Sequence, residues 1–393
     1  MKAKYLLLLT WFLVSIGAAA GQTTGPKPPI QRHPLLAGGP MLGHAGLRYA
    51  SVWVQTTGPA QLCLEYQLES QAEDSSREPW ISSVATKSGT LCQEVTPGPA
   101  YTALFEMAQL HEGATYRYQI WAPLDDPSES EEIENSQLVA SGTFKTQPHF
   151  VHRYPAPDFT LAIGSCAYVN DPAYDRPSAS YGGQYQVFES LASEKPDAMI
   201  WLGDNVYFRE GDWESLLGMI HRFRHLRSLP ELQRLLTTCP HYAVWDDHDF
   251  GKDDAGKEFT KKEQNKKIFL DFFKEPLTSD RWVHDGIYTS YNIELEGAKV
   301  QVILLDTRTF RDQLVRTNRK SRGTDNPEYE LTYAPHKDSS KTILGTQQWA
   351  WLKGVFSQAA DYRIIASSTQ FGIEYNGYES WANFPSEQNK MLQ

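Results

Sequence analysis

Residues 197–207, DAMIWLGDNVY, and residues 242–249, YAVWDDHD, decide the fold of this 393-residue chain. Each stretch contains a short, mostly apolar run, Asp197–Leu202 or Tyr242–Trp245, with the pattern of a buried strand. Each run then delivers acidic side chains at the carboxyl end of the strand, where the ligand sites of α/β sheets lie. Two carboxylate clusters that meet there, with His248 nearby, indicate bound metal ions and hydrolytic chemistry.

The other apolar runs after residue 159 also end in polar clusters. These clusters are Gly164-Ser165-Cys166, Asp306-Thr307-Arg308 and Ser367-Ser368-Thr369-Gln370. Between the runs lie segments with helical periodicity, at 183–194, 213–226, 232–236, 258–273 and 346–359. Strands that alternate with helices predict an α/β domain with a mixed or parallel sheet covered by helices.

The chain before residue 148 has a different pattern. Short alternating segments broken by turn residues predict an all-β sandwich over residues 37–148. The predicted strands are Leu47–Gln55, Gln61–Tyr66, Thr102–Met107, Thr115–Trp121 and Leu138–Phe144. The proline-containing stretch 147–158 is the predicted linker, so the α/β domain is expected to cover 158–393. The acidic run 125–134 is expected to be a solvated loop.

The N-terminus has the pattern of a targeting signal. Lys2 and Lys4 precede an apolar stretch, Tyr5–Gly17, and small residues follow at 18–21. This predicts a signal peptide over residues 1–20, then a flexible leader over 21–36, and a secreted or periplasmic protein. An uncleaved anchor is the alternative. The formal net charge of −11 argues against nucleic acid as the main partner, but not against a phosphate substrate held by metal cations.

The four cysteines have different settings. Cys63 and Cys92 lie close together in the predicted β region, which leaves a disulfide between them open, because export permits disulfides. Cys239 reads as a small buried hydrophobe. Cys166 ends the first strand of the α/β domain, and two readings stand: a disulfide to Cys239, or ligation of a metal by the thiolate.

The acidic clusters suggest particular roles. Asp204 is the candidate for a carboxylate that bridges two cations, and Tyr207 either returns to the same ion or packs near the strand end. Asp247 is a candidate second ligand, and His248 a group that protonates a leaving oxygen or stabilises phosphoryl charge. The alternative for His248 is a core histidine hydrogen-bonded to Asp246 or Asp249.

The neighbouring acids and the donor types complete this reading. Asp249, Asp253 and Asp254 either are solvated or orient the imidazole of His248. A thiolate with a phenolate favours a transition metal such as iron, whereas carboxylates and amides favour calcium or manganese at a neighbouring site.

Taken together, these motifs resemble those of the PhoD-like alkaline phosphatases of the metallophosphoesterase superfamily. The resemblance rests on GSCAY at 164–168, WLGDNVY at 201–207, VWDDHDFG at 244–251, LLDTRTFRD at 304–312, LGTQQWAWL at 344–352 and ASSTQF at 366–371. It implies a layered α/β/β/α core preceded by a fibronectin- or immunoglobulin-like sandwich. It also implies hydrolysis of phosphate monoesters, diesters or both by metal-activated hydroxide.

The resemblance also implies a ligand set. Cys166, Asp204 and Tyr207 would bind Fe³⁺, and Asp204 and Asp247 would reach a second site, commonly Ca²⁺, with zinc and manganese as alternatives. His248 matches the substrate-contacting histidine of the family, and Arg308 is expected to contact the substrate phosphate.

Two further expectations concern substrate and completeness. The long polar stretch 311–342 is expected to be a functional or lid-like loop, which could shape substrate specificity. The alternative function is a phosphodiesterase or phospholipase D-like activity on lipid or teichoic-acid substrates. After the segment Trp381–Glu387 the family continues to a Gly-Asp-x-His motif with a further histidine ligand, which these 393 residues do not contain. The sequence is therefore expected to be part of a longer reading frame, with a truncated inactive homologue as the alternative.

Overall fold

The computed structural model describes most of the chain after residue 31. The described residues are 32–71, 85–98, 100–124, 136–148, 158–175, 181, 183–295, 298–320, 330–374 and 377–393. The predicted signal peptide, most of the leader, the acidic run 125–134 and most of the linker lie outside them. Within these ranges, no helix has both the length and the apolarity needed to cross a bilayer.

The described residues of the first part of the chain form seven strands. They are β1 (Leu36–Leu42), β2 (Tyr49–Thr56), β3 (Ala60–Gln71), β4 (Ser88–Val95), β5 (Thr102–Ala108), β6 (Ala114–Pro123) and β7 (Ser136–Lys145). One sheet has the order β1-β2-β5 and the other β4-β3-β6-β7, with antiparallel neighbours throughout. All five predicted strands are confirmed, and β1 and β4 are additions.

The two sheets enclose one apolar core. Side chains from β2 and β5, including Val52 and Phe105, meet Leu64 of β3 and Tyr116 of β6 there. Alternation along each strand produces this core, because successive side chains point to opposite faces of a sheet. On β3 and β4, Cys63 and Cys92 are directly opposite each other and form a disulfide.

The second part of the chain contains two three-stranded sheets and seven helices among the described residues. The strands are β8 (Leu161–Gly164), β9 (Ala198–Leu202), β10 (His241–Val244), β11 (Thr289–Leu295), β12 (Ala298–Leu304) and β15 (Tyr362–Ala366). The helices are α1 (Gln186–Ser193), α2 (Leu216–Arg227), α3 (Gln233–Thr238), α4 (Asp247–Phe250), α5 (Lys262–Phe272), α6 (Gly345–Phe356) and α7 (Pro385–Met391). These elements confirm the predicted alternation of strands and helices.

The two sheets differ in strand direction. Strands β8, β9 and β10 are parallel, with β9 in the centre. In the other sheet β12 pairs antiparallel with β11 and parallel with β15. The carboxyl ends of β8, β9 and β10 therefore lie along one edge, and each delivers a loop to the same place.

Strand β12 shows how the layers stack. Val300, Val302 and Leu304 point into the core formed by the parallel sheet β8-β9-β10 and helices α1, α2 and α5. Ile303 points the other way and packs with Leu352 of α6. The order is therefore helices, sheet, sheet, helix, which is the predicted α/β/β/α arrangement.

The stretch 311–342 is not a plain loop. An antiparallel hairpin occupies part of it, formed by β13 (Val315–Lys320) and β14 (Glu330–Ala334). Near the hairpin's end, the Tyr333 hydroxyl donates a hydrogen bond to the Asp254 carboxylate. The prediction of a loop was wrong for the hairpin residues, and the hairpin is anchored to the acidic segment after α4.

The sandwich and the α/β part share apolar contacts. Trp53 of β2 is fully buried, its indole donates to the backbone carbonyl of Asp271 at 2.8 Å, and its ring lies 6.1 Å from that of Phe272. The Asp271 carboxylate has no hydrogen-bond or ion-pair partner among the described residues, and burial raises the pKa of Asp271 to about 7.

We expect Asp271→Asn to stabilise the protein at pH 8–9 by about 1–2 kcal/mol. The folded-state pKa lies above the unfolded value of about 4, so the ionised wild-type carboxylate destabilises the fold above pH 7. The advantage of the variant should shrink as the pH falls through 7 and vanish near pH 4. Thermal melting as a function of pH measures this, with the exposed Glu194→Gln as the control. A difference that is constant with pH contradicts the prediction.

Candidate active site

Asp204 follows strand β9 in a tight turn. Gly203 has a φ of +87° and Asp204 a φ of +49°. A side chain at residue 203 would place its Cβ 2.5 Å from the Asp246 Cβ and 2.9 Å from the Ser368 Cβ. Residue 203 must therefore be glycine, because two other strand-end loops approach its backbone closely and because its φ favours glycine.

The loop after β8 adds a thiol to this turn. The backbone amides of Cys166 and Ala167 donate to the carbonyls of Gly203 and Asp204, at 3.2 and 2.9 Å. Cys166 has a φ of +60°, an uncommon conformation for this residue type. Its Sγ lies 3.6 Å from Asp204 Oδ2. Cys166 and Cys239 are both free thiols, so the alternative disulfide is not formed.

Tyr207 and His248 complete the contacts of Asp204. The Tyr207 hydroxyl donates to Asp204 Oδ2 at 3.0 Å, and the His248 backbone amide donates to Asp204 Oδ1 at 3.2 Å. The Tyr207 and His248 rings lie 4.5 Å apart. His248 Nε2 lies 3.6 Å from Asp253 and 3.9 Å from Asp247, and about a third of the side chain is exposed. The structure therefore brings Cys166, Asp204, Tyr207, Asp247 and His248 together.

Asp249 holds two loops in fixed positions relative to each other. Its carboxylate is fully buried and accepts four hydrogen bonds. Oδ1 accepts from the Asp204 and Asp246 amides, at 3.2 and 2.7 Å. Oδ2 accepts from the Asn205 amide at 3.0 Å and from its side chain at 2.6 Å. The sequence suggested that Asp249 either is solvated or orients the imidazole of His248, and the structure shows neither. Asp249 instead joins the loop after β9 to the start of α4.

Arg308 does not face solvent as a substrate contact would. The side chain is fully buried, with Nε 2.7 Å from Asp246 Oδ1 and Nη1 2.8 Å from Glu379 Oε1. A guanidinium without exposed surface reaches a substrate only by breaking these ion pairs. In this arrangement Arg308 positions Asp246, and through it the start of α4, rather than offering a free donor.

Glu379 is a site residue that sequence reasoning missed. It binds Arg308 with both oxygens and lies 3.1 Å from Arg311. The surrounding segment, EYNGYES at 374–380, carries no strand or helix pattern that distinguishes this glutamate from other polar loop residues. Only the tertiary contact with two buried arginines reveals its role.

Charge is concentrated at this site. Burial and the neighbouring Asp247 raise the pKa of Asp204. Burial also raises the pKa of Asp246, to about 7, against the opposing charge of Arg308. For Asp247 burial acts in the same direction, but Arg308 and His248 hold its pKa below the ordinary value. Burial, with the adjacent Asp204, raises the pKa of Tyr207.

The donor set fits a cation. Asp204, Asp247 and His248 each offer a ligand atom, and these atoms all lie within 4.8 Å of one another; Asp247, Asp253 and Asp254 form a second such group. Two buried carboxylates at this separation repel each other, and a bound cation removes that repulsion. The thiol of Cys166 and the phenol of Tyr207 reach the same Asp204 oxygen.

The site lies on a layered α/β/β/α fold, with its acidic residues in the segments after the strands. A family model described as PhoD-like phosphatase matches residues 161–393. The chain therefore belongs to the PhoD-like phosphatase family, which confirms the resemblance drawn from the motifs.

Individual relatives share less than a quarter of their aligned residues with this chain. Alkaline phosphatase D of Bacillus subtilis (strain 168) is 23% identical over 270 residues, which cover 60% of this chain and 43% of that protein. The chain thus spans less than half the length of this relative. A solved structure of PhoD is similar with a TM-score of 0.64 at 17% identity, covering 93% of this chain and 70% of that one. At this identity the likeness shows the fold.

We expect Asp249→Asn to lower the free energy of unfolding by about 2–4 kcal/mol. An asparagine offers one acceptor oxygen, and its NH₂ group must then face amides that donate. Burial and the Asp204 charge raise the pKa of Asp249, while the N–H donors favour the ionised form. Urea unfolding measures the loss, and the more exposed Asp253→Asn, in the same segment, should change stability by less than about 0.5 kcal/mol. Equal losses in the two variants contradict this account.

Proposed function

We propose that this chain is the catalytic part of a metal-dependent phosphoesterase that hydrolyses phosphate esters at the site around Asp204. One observation carries the proposal. A single buried carboxylate contacts the thiol of Cys166, the phenol of Tyr207 and the backbone amide of His248. Membership of the PhoD-like phosphatase family supports the same reaction class.

The ligand assignment follows from donor chemistry. Cys166, Asp204 and Tyr207 would hold one cation, and Asp204 with Asp247 a second. A thiolate with a phenolate suits Fe³⁺, and the carboxylates suit Ca²⁺, with Zn²⁺ and Mn²⁺ as alternatives. When bound, such ions supply an activated water nucleophile and neutralise the charge that develops on the phosphoryl oxygens.

The remaining chemistry belongs to the side chains. The partly exposed imidazole of His248 lies beside the carboxylates of Asp247 and Asp253. A protonated His248 donates its proton to the leaving oxygen of the ester, or binds a phosphoryl oxygen in the transition state. Arg308 keeps Asp246 in place from the buried side.

Substrate and location complete the proposal. A phosphate monoester or diester is the proposed substrate, and the diesterase on lipid or teichoic-acid substrates remains the narrower alternative. Export remains a prediction that rests on Lys2, Lys4 and the apolar stretch Tyr5–Gly17.

We expect Asp204→Asn to reduce hydrolysis of p-nitrophenyl phosphate and of its bis ester at least about 1,000-fold, because one charge leaves both proposed metal sites. The assay uses the protein in its longest natural form, supplied with Fe³⁺ and Ca²⁺. Asp338→Asn, an acid on the exposed surface, is the matched control and should retain full activity. Undiminished turnover in the Asp204 variant would remove this residue from the reaction. The ratio of the two wild-type rates separates monoesterase from diesterase.

We expect the iron-loaded protein to show a visible absorption band that shifts and weakens in Tyr207→Phe, because a phenolate bound to Fe³⁺ contributes to the band while the contribution of the Cys166 thiolate remains. Iron content by elemental analysis should persist in the variant, since Cys166 and Asp204 remain. Tyr168→Phe is the control, because the Tyr168 ring lies 4.9 Å from that of Tyr207 while its hydroxyl binds Asp175. A band of unchanged position and intensity in Tyr207→Phe, or a colourless iron-loaded wild type, excludes Tyr207 as a ligand.

A further inference from the structure

A second group of metal-ligating side chains lies outside the proposed catalytic site. Asp171 lies in the loop after β8, and His221 and His225 lie on α2. Each offers a ligand atom, and the three atoms all lie within 4.8 Å of one another. The group shares no residue with the site around Asp204.

The helix presents the two histidines together. Residues four apart lie on the same face of a helix, one turn above the other. The rings of His221 and His225 are stacked, with centroids 5.8 Å apart, and His221 Nε2 lies 2.8 Å from Asp171 Oδ2. Half of the His221 side chain is exposed, so ions reach the group from solvent.

Both nearby guanidinium groups have carboxylate partners of their own. Arg222 lies 3.1 Å from Asp171, but its Nε also lies 2.6 Å from Asp212. Arg209 lies 2.6 Å from Asp175. Asp171 can therefore coordinate a cation, because the buried Arg222 keeps Asp212 as an ion-pair partner.

The position of His225 beside Asp171 and His221 is not explained by an ion-pair network that only stabilises the fold. Asp171, His221 and Arg222 already form such a network. The ring nitrogens of His225 have no hydrogen-bond partner in the described part of the chain. A ring nitrogen of His225 lies within 4.8 Å of the ligand atoms of Asp171 and His221, so it is placed to bind the same ion.

We propose that Asp171, His221 and His225 form a binding site for a divalent transition-metal ion of the Zn²⁺ class, separate from the catalytic site. Two imidazoles and one carboxylate suit Zn²⁺, whereas Ca²⁺ and Mg²⁺ prefer oxygen donors. Three protein ligands leave a coordination position open to solvent. A bound ion would also join the loop that carries Cys166 to helix α2.

The test counts Zn²⁺ ions bound per chain by competition with a chromophoric chelator. The wild type, His225→Gln and the control His284→Gln are compared; His284 lies outside the group and its Nδ1 contacts the carbonyl of Asp285. Zn²⁺ bound at the catalytic site is common to all three proteins and cancels in the comparison. We expect His225→Gln to bind one equivalent fewer than the wild type, and His284→Gln to match the wild type.

A second variant and a second measurement separate metal loss from misfolding. His221→Gln should lose the same equivalent, and the metal-free melting temperature of His225→Gln should equal that of the wild type. Added Zn²⁺ should raise the melting temperature of the wild type more than that of His225→Gln, because binding to the folded state alone stabilises it. Unchanged Zn²⁺ stoichiometry and affinity in a folded His225→Gln overturns the proposal, whatever the phosphoesterase assays show.

Discussion

The buried carboxylate of Asp249 is the constraint on which the rest of the site depends. It collects four N–H donors from the turn after β9 and the residue before α4. Without it these donors would be buried without partners, at a cost of about 1–3 kcal/mol each. The same contact fixes where Asp204 stands relative to Asp247 and His248.

A second buried network holds the site from the opposite side. Asp306, at the end of β12, accepts from the Trp245 indole at 3.0 Å and from the amides of Arg308 and Thr309 at 2.9 Å. Arg308 then pairs with Asp246 and Glu379. The loops after β10 and β12 are thereby tied together through charged groups, of which Asp306 and Arg308 are fully buried. Buried charges need partners to be tolerated in a core. The two sheets act as a frame, and these polar contacts position the loops that reach the site.

Much of this was predictable from the sequence, for a physical reason. Apolar runs such as Asp197–Leu202 must be buried, and parallel strands bring their carboxyl ends to one edge, so acids that follow such runs meet. Strands β1 and β4 escaped prediction because Leu36–Leu42 contains two glycines and a proline, and because most of Ser88–Val95 is not buried.

The contacts that the sequence did not reveal share a cause as well. Arg308 and Glu379 are 71 residues apart, and nothing local marks either as half of a buried ion pair. The role of Asp249 was open for a similar reason, because its hydrogen bonds go to Asp204 and Asn205, some 45 residues earlier. Sequence pattern identifies which side chains reach a sheet edge, whereas the partners of buried charges depend on tertiary packing.

Hydrogen exchange of the amides of Asp204, Asn205 and Asp246, measured residue by residue in the protein stripped of metals, tests the central claim most directly. The claim is that Asp249, rather than any bound ion, holds these loops. It predicts that the three amides exchange as slowly as those of strands β9 and β10. Exchange at the rate of exposed loop amides would contradict it, because the loops would then be ordered by metal alone.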